Sequence, residues 1–131
     1  MEKYKIIDFS IEVTKGKIPL IVGTGSNDTN HAIKLSSYAA SRGVDGVLIV
    51  TPYYNKASQE GLYLHYEKIA KSIPNTPIIL YNVPSRTGVD ISIETIKKLA
   101  TINNIVGIKE ASTDISKIAK LQSFQIENFA L

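Results

Sequence analysis

An α/β fold built on a parallel sheet is predicted by three observations. Four short apolar runs are rich in β-branched residues, a polar turn follows each run (with Gly, Pro or Asn after the first three), and an amphipathic stretch follows each of those turns. The runs start near residues 18, 46, 77 and 104. Their step is about 30 residues, the usual length of a strand–turn–helix unit. Units of this kind in series give a parallel sheet with helices outside it.

Taken in order, a helix-like stretch over residues 4–13 precedes the first strand, Ile18-Pro19-Leu20-Ile21-Val22. Asp28 and Thr29 can cap a helix carrying Ala32, Ile33, Leu35, Ala39 and Ala40, which should stop near Gly43. The second strand is Gly46-Val47-Leu48-Ile49-Val50. Ser58, with Glu60 and Gly61, then opens a helix with Leu62, Tyr66, Ile69 and Ala70 on one side. The third strand, Pro77-Ile78-Ile79-Leu80-Tyr81, leads to a helix opened by Ser92 and carrying Ile93, Ile96 and Leu99. The fourth, Asn104-Ile105-Val106-Gly107-Ile108, leads to one capped by Thr113 or Asp114. Asn128-Phe129-Ala130-Leu131 reads as the start of a further strand. Nearly uninterrupted apolar runs are expected of strands buried on both faces. Periodicity leaves two architectures open, an open doubly wound sheet and a portion of a (β/α)8 barrel, which needs about 250 residues when whole.

The totals fit one domain over residues 1–131 with no linker or low-complexity segment. The net charge is +3. The lysines are scattered (Lys3, Lys5, Lys15, Lys17, Lys97, Lys98, Lys117, Lys120), as on solvated helix faces, and no dense patch suggests nucleic acid. No cysteine is present, which excludes disulfides, thiolate nucleophiles and Cys-based zinc sites and suits the cytoplasm. No apolar stretch approaches a membrane span. His31 and His65 lack a ligand-spaced partner and read as surface or helix histidines, so no metal is assigned. Gly23-Thr24-Gly25 lacks the third glycine and the acidic residue of a dinucleotide fingerprint; a tight turn with unusual backbone angles explains it as well. No cofactor is expected.

Side chains at the C-terminal ends of parallel strands converge on one site. Lys109 ends the fourth run, where burial would disfavour its charge and leave an amine nucleophile. Position alone does not separate that role from a lysine simply reaching solvent. Tyr81 ends the third run and can pass protons or hold an oxyanion, or be a core tyrosine. Arg86, in a Pro/Gly loop, can pair with a carboxylate, or be solvated.

The stretches Ile18 to Gly25, Val50-Thr51-Pro52-Tyr53-Tyr54-Asn55, Tyr81-Asn82-Val83-Pro84-Ser85-Arg86-Thr87-Gly88 and Gly107-Ile108-Lys109-Glu110-Ala111 together resemble the dihydrodipicolinate synthase family, class I pyruvate-dependent aldolases. The resemblance covers nearly the whole chain and implies a partial TIM (β/α)8 barrel, about strands three to six, with a stump of the seventh. It implies a Schiff-base lyase condensing pyruvate with aspartate semialdehyde on the diaminopimelate route to lysine, acting as a homo-oligomer. On it, Lys109 matches the imine-forming lysine, and Tyr81 the proton-relaying tyrosine. Tyr54 matches a tyrosine lent to a neighbouring subunit, and Arg86 the arginine that helps hold the semialdehyde carboxylate. Gly107 matches a place where bulk would crowd the cavity. Asn27, Gly25 and Tyr53 match surroundings of a lysine feedback site. His31 stands there at an often acidic position, so feedback is not expected.

The family's Gly-Thr-Thr-Gly-Glu segment does not occur in the sequence. Met1 then reads as an internal start or a boundary of a shortened frame. The chain is expected to leave two sheet edges unpaired, to be marginal alone or to associate, and to have negligible turnover. N-acetylneuraminate lyase-like chemistry and a non-catalytic remnant are the competing readings; Arg86 within Pro-Ser-Arg-Thr-Gly favours the synthase.

Overall fold

The protein is described by a computed structural model over residues 2–14 and 16–131; Met1 and Lys15 lie outside the described residues. Helix α1 (Glu2–Thr14) leads into strand β1 (Ile21–Gly23), helix α2 (Thr29–Ser41), β2 (Gly46–Val50), α3 (Gln59–Ser72) and β3 (Ile78–Asn82). The short α4 (Pro84–Thr87) follows, then α5 (Ile93–Leu99), β4 (Ile105–Glu110) and α6 (Ile115–Ser123). The expected caps are present: Asp28, Ser58, Ser92 and Asp114 accept from the backbone N–H groups of His31, Gly61, Thr95 and Lys117. Each satisfies an otherwise unpartnered first-turn amide. Two details differ from expectation. The first strand begins at Ile21 and not at residue 18, because Pro19 has no amide to give to a ladder. The Pro-Ser-Arg-Thr loop closes into one helical turn, α4, with Pro84 at its start and Gly88 left-handed at its end.

The four strands are parallel and lie in the order β1-β2-β3-β4. A sheet that grows in one direction by right-handed crossovers places every helix on the same face. That is the curvature of a barrel wall; a doubly wound sheet reverses its strand order. Successive helices accordingly pack on one another, α1 on α2, α2 on α3 and α3 on α5. The core lies between helices and sheet. It holds Val47, Ile49, Ile78 and Leu80 from the strands against Leu62, Tyr66, Ile69, Ile96 and Leu99.

Burial on both strand faces, expected from the apolar runs, is not what the structure shows. Alternate strand residues Leu48, Val50, Ile79, Tyr81 and Val106 are only half-buried. They look into the barrel side of the sheet, which the four strands leave open. Of the two edges expected to be open, one has no partner strand among the described residues and one is partly closed. Beyond β1 no described strand pairs with Ile21, which is half exposed, and α1 alongside it shows solvent a stripe of Ile6, Phe9 and Val13. On the other side Ala130 bridges Gly107, giving its N–H to Val106 O at 2.9 Å and accepting from Ile108 N at 2.9 Å. A fifth parallel strand starts there. This contact explains Gly107: a Cβ would sit 2.8 Å from Ala130 O, so the crowding comes from the next strand and not from the cavity. Gly25 likewise has no unusual backbone angle; its Cβ would lie 2.6 Å from Val50 N, so close backbone approach requires it.

His65 is a buried helix histidine, 4% exposed, with Nδ1 2.9 Å from the Thr29 hydroxyl and Nε2 without a partner among the described residues. Burial pushes its pKa down from 6.5 to about 4, against a smaller opposing pull from Asp28. The unfolded chain therefore binds a proton there that the fold refuses. The stability is whole above pH 6.5 and falls as the pH drops toward 4. Chemical unfolding at pH 7 and pH 4 should show a loss of about 3 kcal/mol from this group, and His65→Gln should flatten that slope. The Gly107→Ala variant should lose hydrogen-exchange protection at the Ile108 amide while the amides of β2 and β3 keep theirs.

Candidate active site

The site is set by how β3 and β4 pair. Ile78 lies opposite Ile105, but Ile79 lies opposite Gly107, so β4 carries one extra residue, Val106, at an irregularity. Beyond it Tyr81 pairs with Lys109 and Asn82 with Glu110. Register partners share a face, and successive residues alternate. The extra residue thus turns Lys109 to the same open face as Tyr81 and sends Glu110 with Asn82 into the helix layer.

On the open face, the Lys109 Nζ stands 4.3 Å from the centre of the Tyr81 ring, within reach of a cation–π contact. Tyr81 and Arg86 line one concavity of about 450 Å³ with Gly25, Val50, Tyr53 and Thr87. The loops that wall it are tied together: the Asn27 amide donates to Tyr53 O at 3.2 Å, Asn55 to Asn27 O at 3.3 Å, and Tyr54 N to Thr87 O at 3.3 Å. Arg86 is an exposed residue of α4 on this rim.

Two expectations change. Lys109 is exposed, not enclosed in a dry cavity. Among the described residues, the face it occupies is bounded by the four strands alone. Tyr54 is 90% exposed, with φ at +77°, and does not line the concavity. The structure brings Lys109, Tyr81 and Arg86 to one end of the sheet and points Tyr54 outward from it. His31 is exposed, in the first turn of α2.

Sequence reasoning missed the cluster behind the pair. Asn82, fully buried, donates to both Glu110 oxygens at 2.9 and 3.0 Å and to Asp90 Oδ1 at 2.7 Å, and its own Oδ1 accepts from Ile91 N. Lys117 pairs with Asp90 and lies 3.5 Å from Glu110 Oε2; it is buried and not on a solvated helix face as expected. The signal was present. If Lys109 faces the cavity, Glu110 must face the helices, where a carboxylate needs a cation and donors.

These features place the chain in the class of (β/α)8-barrel proteins, with polar groups gathered where such barrels carry their sites. The family model described as "Dihydrodipicolinate synthetase family" matches residues 1–131, and the chain belongs to that family. It is 56% identical over 120 residues to the 4-hydroxy-tetrahydrodipicolinate synthase of Kosmotoga olearia, covering 92% of this chain and 40% of that protein. The crystal structure of dihydrodipicolinate synthase from Aquifex aeolicus superimposes with a TM-score of 0.95 at 42% identity, over 99% of this chain and 45% of the other. The chloride-inhibited enzyme from Acinetobacter baumannii, solved with pyruvate, matches with a TM-score of 0.86 at 50% identity, over 92% of this chain and 43% of that one. The chain therefore spans less than half the length of these relatives.

Asn82→Ala should destabilise the fold by about 2–4 kcal/mol, since it strips donors from a buried carboxylate. Arg86→Ala, on the exposed rim, should change stability by less than about 0.5 kcal/mol. Parallel urea titrations read both.

Proposed function

We propose that this chain carries the imine-forming centre of a class I aldolase that condenses pyruvate with aspartate semialdehyde. The observation that carries the reading is the Lys109–Tyr81 pair, an amine and a phenol brought together at the same end of neighbouring strands in a chain of this family. Lys109 Nζ attacks the pyruvate ketone, and loss of water gives an imine. The protonated imine draws electrons from the adjacent methyl group, which loses a proton to become an enamine nucleophile. The enamine carbon then adds to the aldehyde. Tyr81, half-buried with its ring beside the amine, suits moving protons during these steps. Arg86 on the rim suits the carboxylate of the incoming aldehyde. Tyr54, exposed and held outward, suits a role in a neighbouring copy's site, so the working form is an oligomer. A chain without cysteine suits the reducing cytoplasm in which such a pathway operates. No helix among the described residues is long and apolar enough to cross a membrane.

Assayed alone, a polypeptide of these 131 residues is expected not to complete the cycle. It has no Gly-Thr-Thr-Gly-Glu segment to bind the pyruvate carboxylate and finish the proton relay, and Lys109 stands in solvent. A second reading is a non-catalytic remnant, in which Lys109 behaves as one exposed lysine among others. Borohydride reduction with pyruvate, followed by peptide mass analysis, separates the two. The expected outcome is a pyruvate adduct concentrated on Lys109 and abolished in Lys109→Arg, with turnover lower by at least about 10³-fold than in the full-length relatives. Labelling spread evenly over the exposed lysines would favour the remnant, and full turnover would refute the need for the absent segment.

A further inference from the structure

Directly behind the Lys109–Tyr81 pair lies a charged cluster that the imine steps do not touch. Glu110 follows Lys109 in the chain and Asn82 follows Tyr81, and the two are register partners on the helix side of the sheet. The Glu110 side chain is 2% exposed and accepts from both Asn82 and the Ser112 N–H. Lys117, with its side chain 7% exposed, is the cation that reaches both this carboxylate and Asp90. It projects from the first turn of α6, where its own N–H is held by the Asp114 cap at 3.1 Å.

We infer that Lys117 is a positioning residue for Lys109, acting through Glu110 and Asn82. A buried carboxylate is tolerated where it is paired and hydrogen-bonded. Lys117 supplies the charge and Asn82 the donors, so the Glu110 side chain has one place to lie. An anchored residue on one face of a strand fixes the direction in which its neighbour leaves on the other. Glu110 fixes Lys109 in this way, and Asn82 fixes Tyr81. A single cation on α6 thereby holds amine and phenol against each other. Asp90 joins the preceding loop to the same cation and closes the cluster. The catalytic meaning of this arrangement rests on the imine reading; its geometry does not.

The 131-residue chain, with Lys117→Met and Lys117→Arg, supplies the test through two readouts. One is the upfield NMR shift that the Tyr81 ring imposes on the Lys109 ε-methylene protons without ligand. The other is the rate of borohydride labelling of Lys109 with pyruvate. Lys117→Met should erase the ring shift and slow labelling about ten- to hundredfold, while Lys117→Arg restores the shift and most of the rate. Circular dichroism shows that the variants are folded. A Lys117→Met chain that keeps the shift, an arginine variant no better than methionine, or a wild-type chain without the shift overturns the inference. If Lys117→Met alone does not fold, it is placed in a Glu110→Gln background, which has no buried charge to neutralise. There the shift should be little changed by adding Lys117→Met, and a further full loss, or failure to fold, overturns the proposal. A wild-type chain with the ring shift but no Lys109-specific label would sink the imine reading and leave the ring-shift arm to decide the positioning.

Discussion

The arrangement of this protein's polar groups depends on one extra residue in β4. Counted straight from the Ile78–Ile105 pair, Lys109 would lie opposite Asn82 and point among the helices, and Glu110 would face the open side. Val106 shifts the count by one, and each side chain beyond it changes face. A lysine then reaches the face that holds a tyrosine and an arginine, and a carboxylate reaches the side that holds its cation. Both outcomes satisfy burial rules that the unshifted register would break. The bulge is held from the other side as well, where the bonds of Ala130 to Val106 and Ile108 bracket Gly107.

Much of the fold was legible in the sequence. The unit length, four strands, the caps at Asp28, Ser58 and Ser92, and the fresh strand near Ala130 follow from periodicity and capping chemistry. Lys109, Tyr81 and Arg86 could be placed at one end because parallel strands point the same way. The remainder depends on contacts between distant residues. A one-residue irregularity leaves no mark in a run such as Ile105-Val106-Gly107-Ile108. Both glycines of interest, Gly25 and Gly107, respond to a neighbouring backbone and not to their own torsions. Lys117 looked like any surface lysine because its partners lie seven and 27 residues away in sequence, on Glu110 and Asp90. The apolar runs suggested burial on both faces, but a strand's composition does not reveal whether anything stands opposite.

The two sides of the sheet differ in kind. On the helix side Asn82, Glu110 and Lys117 are buried and linked to one another and to the half-exposed Asp90, so rigidity is concentrated just behind the strand ends. On the other face, which the described residues leave uncovered, Tyr53, Tyr81 and Arg86 stand with apolar strand residues in an open concavity. Among the described residues, preorganisation therefore comes from behind the site, through the strands. Stiffness at the base can survive even where enclosure is lacking, whereas the water exclusion that strengthens charge–charge attraction cannot.

The outward stripe of Ile6, Phe9 and Val13 on α1, beside the half-exposed Ile21 of β1, forms one apolar flank. Quality-control machinery binds oily helix flanks and loose strand edges of this sort, and proteases follow. A polypeptide of these residues alone would stay prone to capture until another surface, from the same chain or from another, shields that flank.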